Sequence, residues 1–210
     1  MAWPDPTYVY HFTRVEHLAS IIERGLVCDM RAQTDGVLNI EVGNRDIKAA
    51  RRHRIVSVAP GGVVADYVPF YFAPQSPMLY SISRGNVPTY TDGTDRLVFL
   101  VSTVERLRAS GLTLVVSDRN ARNNVTKFLP LDEARKDEDF VDFELMRAQY
   151  WGGYDDGRER RMAECLVHGG VPWDAFEIVG TRSKTVADEV AALIGSGSLP
   201  RVEIAPRWYF

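Results

Sequence analysis

Cysteine is scarce in this chain, with Cys28 and Cys165 the only two among 210 residues. Two cysteines cannot build a disulfide framework, so a reducing compartment, the cytoplasm, is the simplest expectation. No apolar run approaches the roughly 20 residues that span a bilayer. The first residues also lack the basic and then apolar pattern of a signal peptide. The sequence therefore predicts a cytoplasmic protein without a membrane segment.

The spacings typical of metal and nucleotide sites are missing as well. The four histidines show no HExxH pattern, and the chain has neither a CxxC pair nor an acidic calcium loop. No Walker loop and no GxGxxG opens a helix. The sequence therefore predicts neither a metal site nor a Rossmann-type cofactor site.

An excess of positive charge is also lacking, since 25 Lys and Arg against 28 Asp and Glu give a formal net charge of −3. This balance argues against a protein that binds duplex DNA through bulk electrostatics. Arginines are nevertheless dense in RRHR (51–54) and RERR (158–161). Each cluster is either a solvated surface or a focused phosphate-binding rim, and the residues alone leave both interpretations open.

What is present is an ordinary globular composition, with 45% hydrophobic and 25% charged residues. The length suits one domain over residues 1–210, and no repeat or linker divides it. Strand and helix patterns mix without regular βαβ alternation. The sequence therefore predicts the α+β class with a mixed or largely antiparallel sheet.

Local signals place several elements early in the chain. Thr13 and Glu16 have the spacing of a capping box, in front of a helix that should end at Gly25. Residues 29–44 are polar and predict an irregular segment. Residues 45–54 then predict a short basic helix, and Ser76 followed by Pro77 predicts the start of a further helix.

The segment RRMAECLVHGGVPW (160–173) raises the question of what a lone carboxylate does in a strand. Alternation predicts a strand with Glu164 and Met162 on one face. A buried acid is costly unless it is paired, hydrogen-bonded or used in chemistry. From the residues alone, Glu164 either pairs with Arg160 or Arg161, lies at the surface, or is functional.

Four segments together resemble the DarT family, whose members are DNA ADP-ribosyltransferase toxins. They are YVYHFTRVEHLASIIERGL (8–26), DIKAARRHRIV (46–56), DYVPFYFAPQSPMLYSI (66–82) and RRMAECLVHGGVPW (160–173). The resemblance runs in order to the C-terminal RWYF and is closer to the branch that modifies thymidine in single-stranded DNA than to the guanosine branch. It implies an ADP-ribosyltransferase fold, in which helices flank a split β-sheet cleft that holds NAD⁺ as a consumed co-substrate.

The resemblance also implies roles for individual residues. Glu164 and Arg51 match the catalytic positions, although the neighbouring Arg52 is an alternative for the arginine. The residues implied to contact NAD⁺ are His11, Thr13, Arg51 and Tyr71.

For the DNA, residues 151–161 match the segment with which family members select the acceptor base. Tyr150, Trp151, Tyr154 and Arg158 combine aromatic rings with a cation, as single-stranded DNA sites do, although Trp151 could equally be a core residue. One departure is Asn120, near which many relatives have a histidine.

The implied partners are single-stranded DNA and a DarG-like macrodomain antitoxin, with the chain alone expected to be a monomer. Two other functions stay open at this point. The same fold could modify guanosine, RNA or protein, or the chain could be an inert nucleic-acid-binding module.

Overall fold

The computed structural model describes residues 2–34, 36, 45–88, 90–195 and 200–210. The strands in these ranges are β1 (Tyr8–Arg14), β2 (Leu26–Val27), β3 (Tyr67–Tyr71), β4 (Leu97–Thr103), β5 (Leu114–Ser117), β6 (Phe128–Pro130), β7 (Glu164–His168), β8 (Gly170–Val171), β9 (Ile178–Thr181) and β10 (Arg201–Ile204). The helices are α1 (Leu18–Arg24), α2 (Asp29–Thr34), α3 (Arg45–His53), α4 (Pro77–Ser83), α5 (Val104–Ala109), α6 (Leu131–Ala134), α7 (Phe143–Arg147), α8 (Gly157–Arg160) and α9 (Lys184–Ile194).

Eight of these strands form one sheet in the order β10-β9-β4-β1-β3-β7-β5-β6. Neighbouring strands are antiparallel except for β9 and β10, which are parallel. The remaining strands, β2 and β8, pair with each other in a small separate sheet. The predicted α+β class with a mixed sheet is confirmed.

The large sheet is split between β1 and β3. Strand β1 pairs with β4 along its full length, from Tyr8 to Arg14, but meets β3 at the single register pair of Tyr10 with Tyr71. Beyond that pair the two strands diverge and leave a gap between two halves of the sheet. This gap is the predicted split-sheet cleft, and it contains the site described below.

Capping residues mark the start of α4 and the end of α1. The Ser76 hydroxyl accepts a hydrogen bond from the Leu79 N–H, and Pro77 occupies the first position of α4. Gly25 ends α1 with a φ of 79°, a backbone conformation that glycine adopts at little cost. Both of these sequence signals were correct.

Two other local predictions were wrong. The capping box does not form, because β1 continues through Arg14 and the Glu16 carboxylate instead pairs with Arg14 and Arg96. Residues 29–34 are not irregular but form α2, and residues 35 and 37–44 of the same prediction lie outside the described residues.

The core extends on both faces of the sheet. All seven residues of β4 are buried, so the centre of the sheet is covered on both sides. In the part of the chain that the structure describes, no helix is long and apolar enough to cross a membrane.

Candidate active site

A cavity of about 240 Å³ lies along the split in the sheet. Strands β1 and β3 line its two sides, and α3 contributes a third wall. The lining includes four residues predicted to contact NAD⁺: His11, Thr13, Arg51 and Tyr71. The structure thus brings together four residues from three separate segments of the chain.

Glu164 is the first residue of β7 and its side chain is only 1% exposed. Within the sheet it lies opposite Tyr71 on one side and Ser117 on the other. Its Oε1 accepts a hydrogen bond from the Ala121 backbone N–H at 3.0 Å, and its own N–H donates to the Ser117 hydroxyl at 3.1 Å. The carboxylate is therefore fixed by backbone and strand contacts rather than held on a mobile loop.

Arg51 supplies the counter-charge for this carboxylate. Its Nη1 donates to both oxygens of Glu164, at 3.0 Å and 2.9 Å. Arg51 Nη2 is buried and has no hydrogen-bond partner among the described residues, so the guanidinium keeps a free donor beside the cavity. Arg52 points elsewhere, with its Nη2 3.5 Å from Asp29. Of the two arginines that the sequence left open, Arg51 is the one in contact with Glu164.

His11 bridges the gap between the two halves of the sheet. Its Nδ1 lies 2.8 Å from the Pro69 carbonyl oxygen, which can only accept, so Nδ1 carries the proton and Nε2 remains an acceptor. Burial, reinforced by the positive charges of Arg51 and Lys48, lowers the pKa of His11 to about 4. The imidazole is therefore neutral at pH 7.

Tyr71 and Thr13 complete the set predicted to contact NAD⁺. The Tyr71 ring stacks on Phe12, with a centroid distance of 6.3 Å and an interplanar angle of 19°. Burial and the nearby Glu164 carboxylate raise the pKa of the Tyr71 hydroxyl, which stays protonated. The Thr13 hydroxyl lies 3.0 Å from Nδ1 of His17, which also lines the cavity.

Sequence reasoning missed the groups that hold Glu164 in place. The Ser117 hydroxyl and the Ala121 N–H act through strand register and backbone geometry, which no residue pattern reveals. His17, Met78 and Asn120 were not predicted to line the cavity, yet all three do. Met162 also lines the cavity. The strand alternation had placed Met162 on the same face as Glu164, and this was the one sequence signal for any of these four residues. The described residues contain no group of three or more side chains suited to a metal.

The four residues predicted to bind DNA lie outside the cavity. Tyr150 is 75% exposed and Arg158 is exposed, whereas Tyr154 is half-buried. Trp151 is half-buried and makes edge-to-face contacts with both Tyr80 and Phe210. The exposed members of the set can meet a ligand directly, and Trp151 also has a packing role.

The segment that carries these residues is joined to the loop beside Glu164. The Asn120 N–H donates to the Glu159 carbonyl at 3.0 Å, and Arg119 pairs with Asp156 at 3.2 Å. Residues 151–160 and residues 119–123 therefore form one rim next to the carboxylate.

Comparison with known proteins agrees with this geometry. The family model described as "ssDNA thymidine ADP-ribosyltransferase, DarT" matches residues 10–210. The chain belongs to the DarT family. A DarT relative from Thermus sp. (strain 2.9), named a DNA ADP-ribosyl transferase, is 32% identical over 99% of this chain and 98% of its own.

Solved structures show the same fold. The structure of Thermus sp. 2.9 DarT in complex with ADP-ribosylated ssDNA matches with a TM-score of 0.90 at 31% identity, and covers 100% of this chain and 99% of that one. The complex of the same DarT with NAD⁺ matches with a TM-score of 0.86, over 100% of both chains. A more distant relative from Thermosipho africanus is a fusion of a DNA ADP-ribosyl transferase with a DNA ADP-ribosyl glycohydrolase, 22% identical over 96% of this chain and 49% of its own.

Proposed function

We propose that this chain transfers ADP-ribose from NAD⁺ to thymidine bases of single-stranded DNA. The observation that carries the proposal is the ion pair of the buried Glu164 with Arg51 beside a cavity in the split sheet. Membership of the DarT family and the likeness to DarT complexes with NAD⁺ and with ADP-ribosylated ssDNA support it.

The first chemical event is loss of nicotinamide from NAD⁺. The bond between ribose C1′ and the nicotinamide nitrogen breaks, and both electrons leave with the nitrogen, so a cationic leaving group becomes neutral without a proton. The ribosyl group then carries oxocarbenium character, as in glycoside hydrolysis. Glu164 is assigned to stabilise that positive charge through the ribose 2′-hydroxyl, an interaction worth on the order of 10²–10³ in rate.

The second event is attack by the acceptor base. Thymine N3 forms the new bond to C1′ and must lose its proton, which it holds near neutral pH. Glu164 is assigned to take that proton as the general base. The products are then nicotinamide, a proton and ADP-ribosylated DNA.

Arg51 is assigned to stabilise the negative charge that develops on the acceptor base. A guanidinium stays protonated in proteins, so Arg51 cannot be the base. Its buried Nη2 has no partner among the described residues and is available to a thymine carbonyl or to the pyrophosphate of NAD⁺. For Glu164 to reach the ribose, Arg51 must release at least one carboxylate oxygen when the substrates bind.

The remaining cavity residues are assigned to NAD⁺. Neutral His11 adds no positive charge beside the cationic nicotinamide, and its Nε2 can accept a hydrogen bond from a ribose hydroxyl. Tyr71 offers a ring for stacking on nicotinamide. Thr13 shares its hydroxyl with His17 and is assigned to a ribose contact.

The DNA contacts are assigned to the rim. Exposed Arg158 can hold a phosphate, while Tyr150, Trp151 and Tyr154 offer rings for stacking under bases. A modified pairing edge would stall replication, so the biological role is that of a toxin. We expect a DarG-like macrodomain antitoxin to oppose it, a pairing supported by the fused glycohydrolase of the Thermosipho africanus relative. We also expect the chain alone to be a monomer.

The test is mass spectrometry of single-stranded oligonucleotides, with and without thymidine, after incubation with NAD⁺. The wild type should add one ADP-ribosyl mass to the thymidine-containing strand only, and Glu164→Gln should remove the adduct because it keeps the shape but not the charge. Full activity of Glu164→Gln would refute the assigned chemistry. An adduct on the strand without thymidine would move the acceptor to another base.

A further inference from the structure

Two of the most exposed large hydrophobic residues lie next to the hydrogen bonds of one arginine, Arg54. Ile55 is 66% exposed and Val125 is 70% exposed. Arg54, which precedes Ile55, donates from Nη2 to the carbonyl oxygens of Asn124 at 3.2 Å and Thr126 at 2.9 Å, the residues on either side of Val125. These hydrogen bonds therefore hold the segment that carries Ile55 against the loop that carries Val125.

The loop that carries Val125 also carries positive charge. Arg122 and Lys127 are both exposed and, in the described ranges, take part in no ion pair. The acidic groups nearby are already engaged, since Asp118 accepts from the Lys127 N–H and pairs with Arg119, and Glu159 accepts from Asn123. We define the Ile55–Val125 surface as Ile55, Arg122, Val125 and Lys127.

Two short stretches of chain link the Ile55–Val125 surface to the catalytic pair. Ile55 comes four residues after Arg51, just beyond the end of α3. The loop that carries Arg122 and Val125 begins next to Ala121, whose N–H is bonded to Glu164. Ile55 and Val125 each lie four residues along the chain from a residue bonded to Glu164, which places them within reach of nucleotides that flank a base at Glu164.

We propose that the Ile55–Val125 surface binds the nucleotides that flank the modified base in the acceptor strand. This inference rests on the proposed function and adds a DNA contact to the four residues already assigned to the strand. Arg122 and Lys127 supply charge for phosphates, and Ile55 and Val125 supply apolar contact for unstacked bases. A single exposed apolar side chain needs no explanation. Two of them held together near an active site, with two unpaired cations in the same loop, form a surface that suits a nucleic-acid strand.

The test uses two double variants, Ile55→Ser with Val125→Ser and Arg122→Gln with Lys127→Gln. All four side chains are exposed, so the fold should be retained, and a thermal unfolding curve checks this. The controls lie on or near β10, at the opposite edge of the sheet: Ile204→Ser, which is also exposed, and Arg201→Gln with Lys184→Gln, whose side chains are in exposed ion pairs with Glu203 and Asp188. The measurements are the Kd of a fluorescein-labelled single-stranded oligonucleotide, the KM for the same strand, and the Kd of NAD⁺.

The apolar double variant should raise the Kd and KM for the oligonucleotide about tenfold, with no change in NAD⁺ binding. For the charge double variant, the slope of the logarithm of the binding constant against the logarithm of the salt concentration should become less steep by about 1.4. Each phosphate contact on a single strand contributes about 0.7 to this slope, and two cations are removed. The control variants should behave as the wild type.

Unchanged Kd, KM and salt dependence in both double variants would overturn the inference. Equal losses in the β10 controls would overturn it too, since the effect would then not be local. If the wild type modifies no DNA, the proposed function fails while the binding measurements still decide whether this surface contacts a single strand.

Discussion

At the level of single residues, the ion pair between Arg51 and Glu164 matters because Glu164 is buried and Arg51 is only 13% exposed. Replacing one member of such a pair leaves an uncompensated charge, which typically costs 3–5 kcal/mol. Arg51→Met should therefore lower the free energy of unfolding by about 3 kcal/mol and the rate of DNA modification by about 10²–10³. Urea titration and a single-turnover assay measure the two effects.

The neighbouring arginine provides the matched control. Arg52 is 36% exposed and lies 3.5 Å from Asp29, so Arg52→Met should change stability by less than about 1 kcal/mol. Its modification rate should stay close to that of the wild type. If Arg52→Met lost as much activity as Arg51→Met, the contact with Glu164 would not identify the functional arginine.

His11 makes stability depend on pH through its lowered pKa. With a pKa of about 4 in the folded chain and about 6.5 in the unfolded chain, only the unfolded state takes up the proton between these values. The free energy of unfolding should therefore fall as pH drops from 6.5 to 4, by up to about 1.4 kcal/mol per pH unit from this group. His11→Gln should lose less stability than the wild type over the same range, as followed by chemical denaturation at several pH values. Parallel curves would contradict the assigned neutral imidazole.

At the level of elements, the tight turn of residues 151–157 positions the rim that we assign to the DNA. A Cβ on Gly157 would collide with the Trp151 carbonyl and lie 2.9 Å from the Tyr154 Cβ. Gly157→Ala should therefore displace residues 151–157 and lower DNA modification about tenfold while NAD⁺ binding is retained. In contrast, a Cβ on Gly153 meets nothing within 4 Å, so Gly153→Ala should leave DNA modification near the wild-type rate. Oligonucleotide KM values compare the two, and equal effects would argue against the packing explanation.

The elements also show which features a sequence can reveal. The β7 strand around Glu164, α3 with Arg51, and the start of α4 at Ser76 were all predicted, because alternation, helical spacing and capping are local signals. The hydrogen bond from the Ala121 N–H to Glu164 could not be predicted, since it depends on how the chain leaves β5. The failed capping box has the same origin, because the Glu16 partner Arg96 is distant in sequence.

At the level of the whole molecule, the C-terminal residues tie the sheet to the rim. The Tyr209 hydroxyl donates to the carbonyl oxygen of Leu97 in β4 at 2.9 Å and lies 3.2 Å from that of Gly180 in β9. Phe210 then packs edge-to-face against Tyr80 and Trp151. The same short segment thus contacts the far half of the split sheet and the segment assigned to DNA. A disturbance in the sheet should therefore reach the rim through these residues.

Gly180 tests this connection because the Trp208 indole packs where a Cβ would be. Gly180→Ala should force the indole away and lower the free energy of unfolding by about 1–3 kcal/mol, as expected for overpacking. It should also weaken DNA modification, since Phe210 follows Trp208 by two residues and supports Trp151.

A double-mutant cycle separates this contact from a general loss of stability. In a Trp208→Ala background the added methyl group meets no indole, so Gly180→Ala should cost less than about 0.5 kcal/mol there. Chemical denaturation of the four proteins gives the coupling energy directly. Equal costs in both backgrounds would place the strain elsewhere in β9 and would remove the physical link between the sheet and the DNA rim.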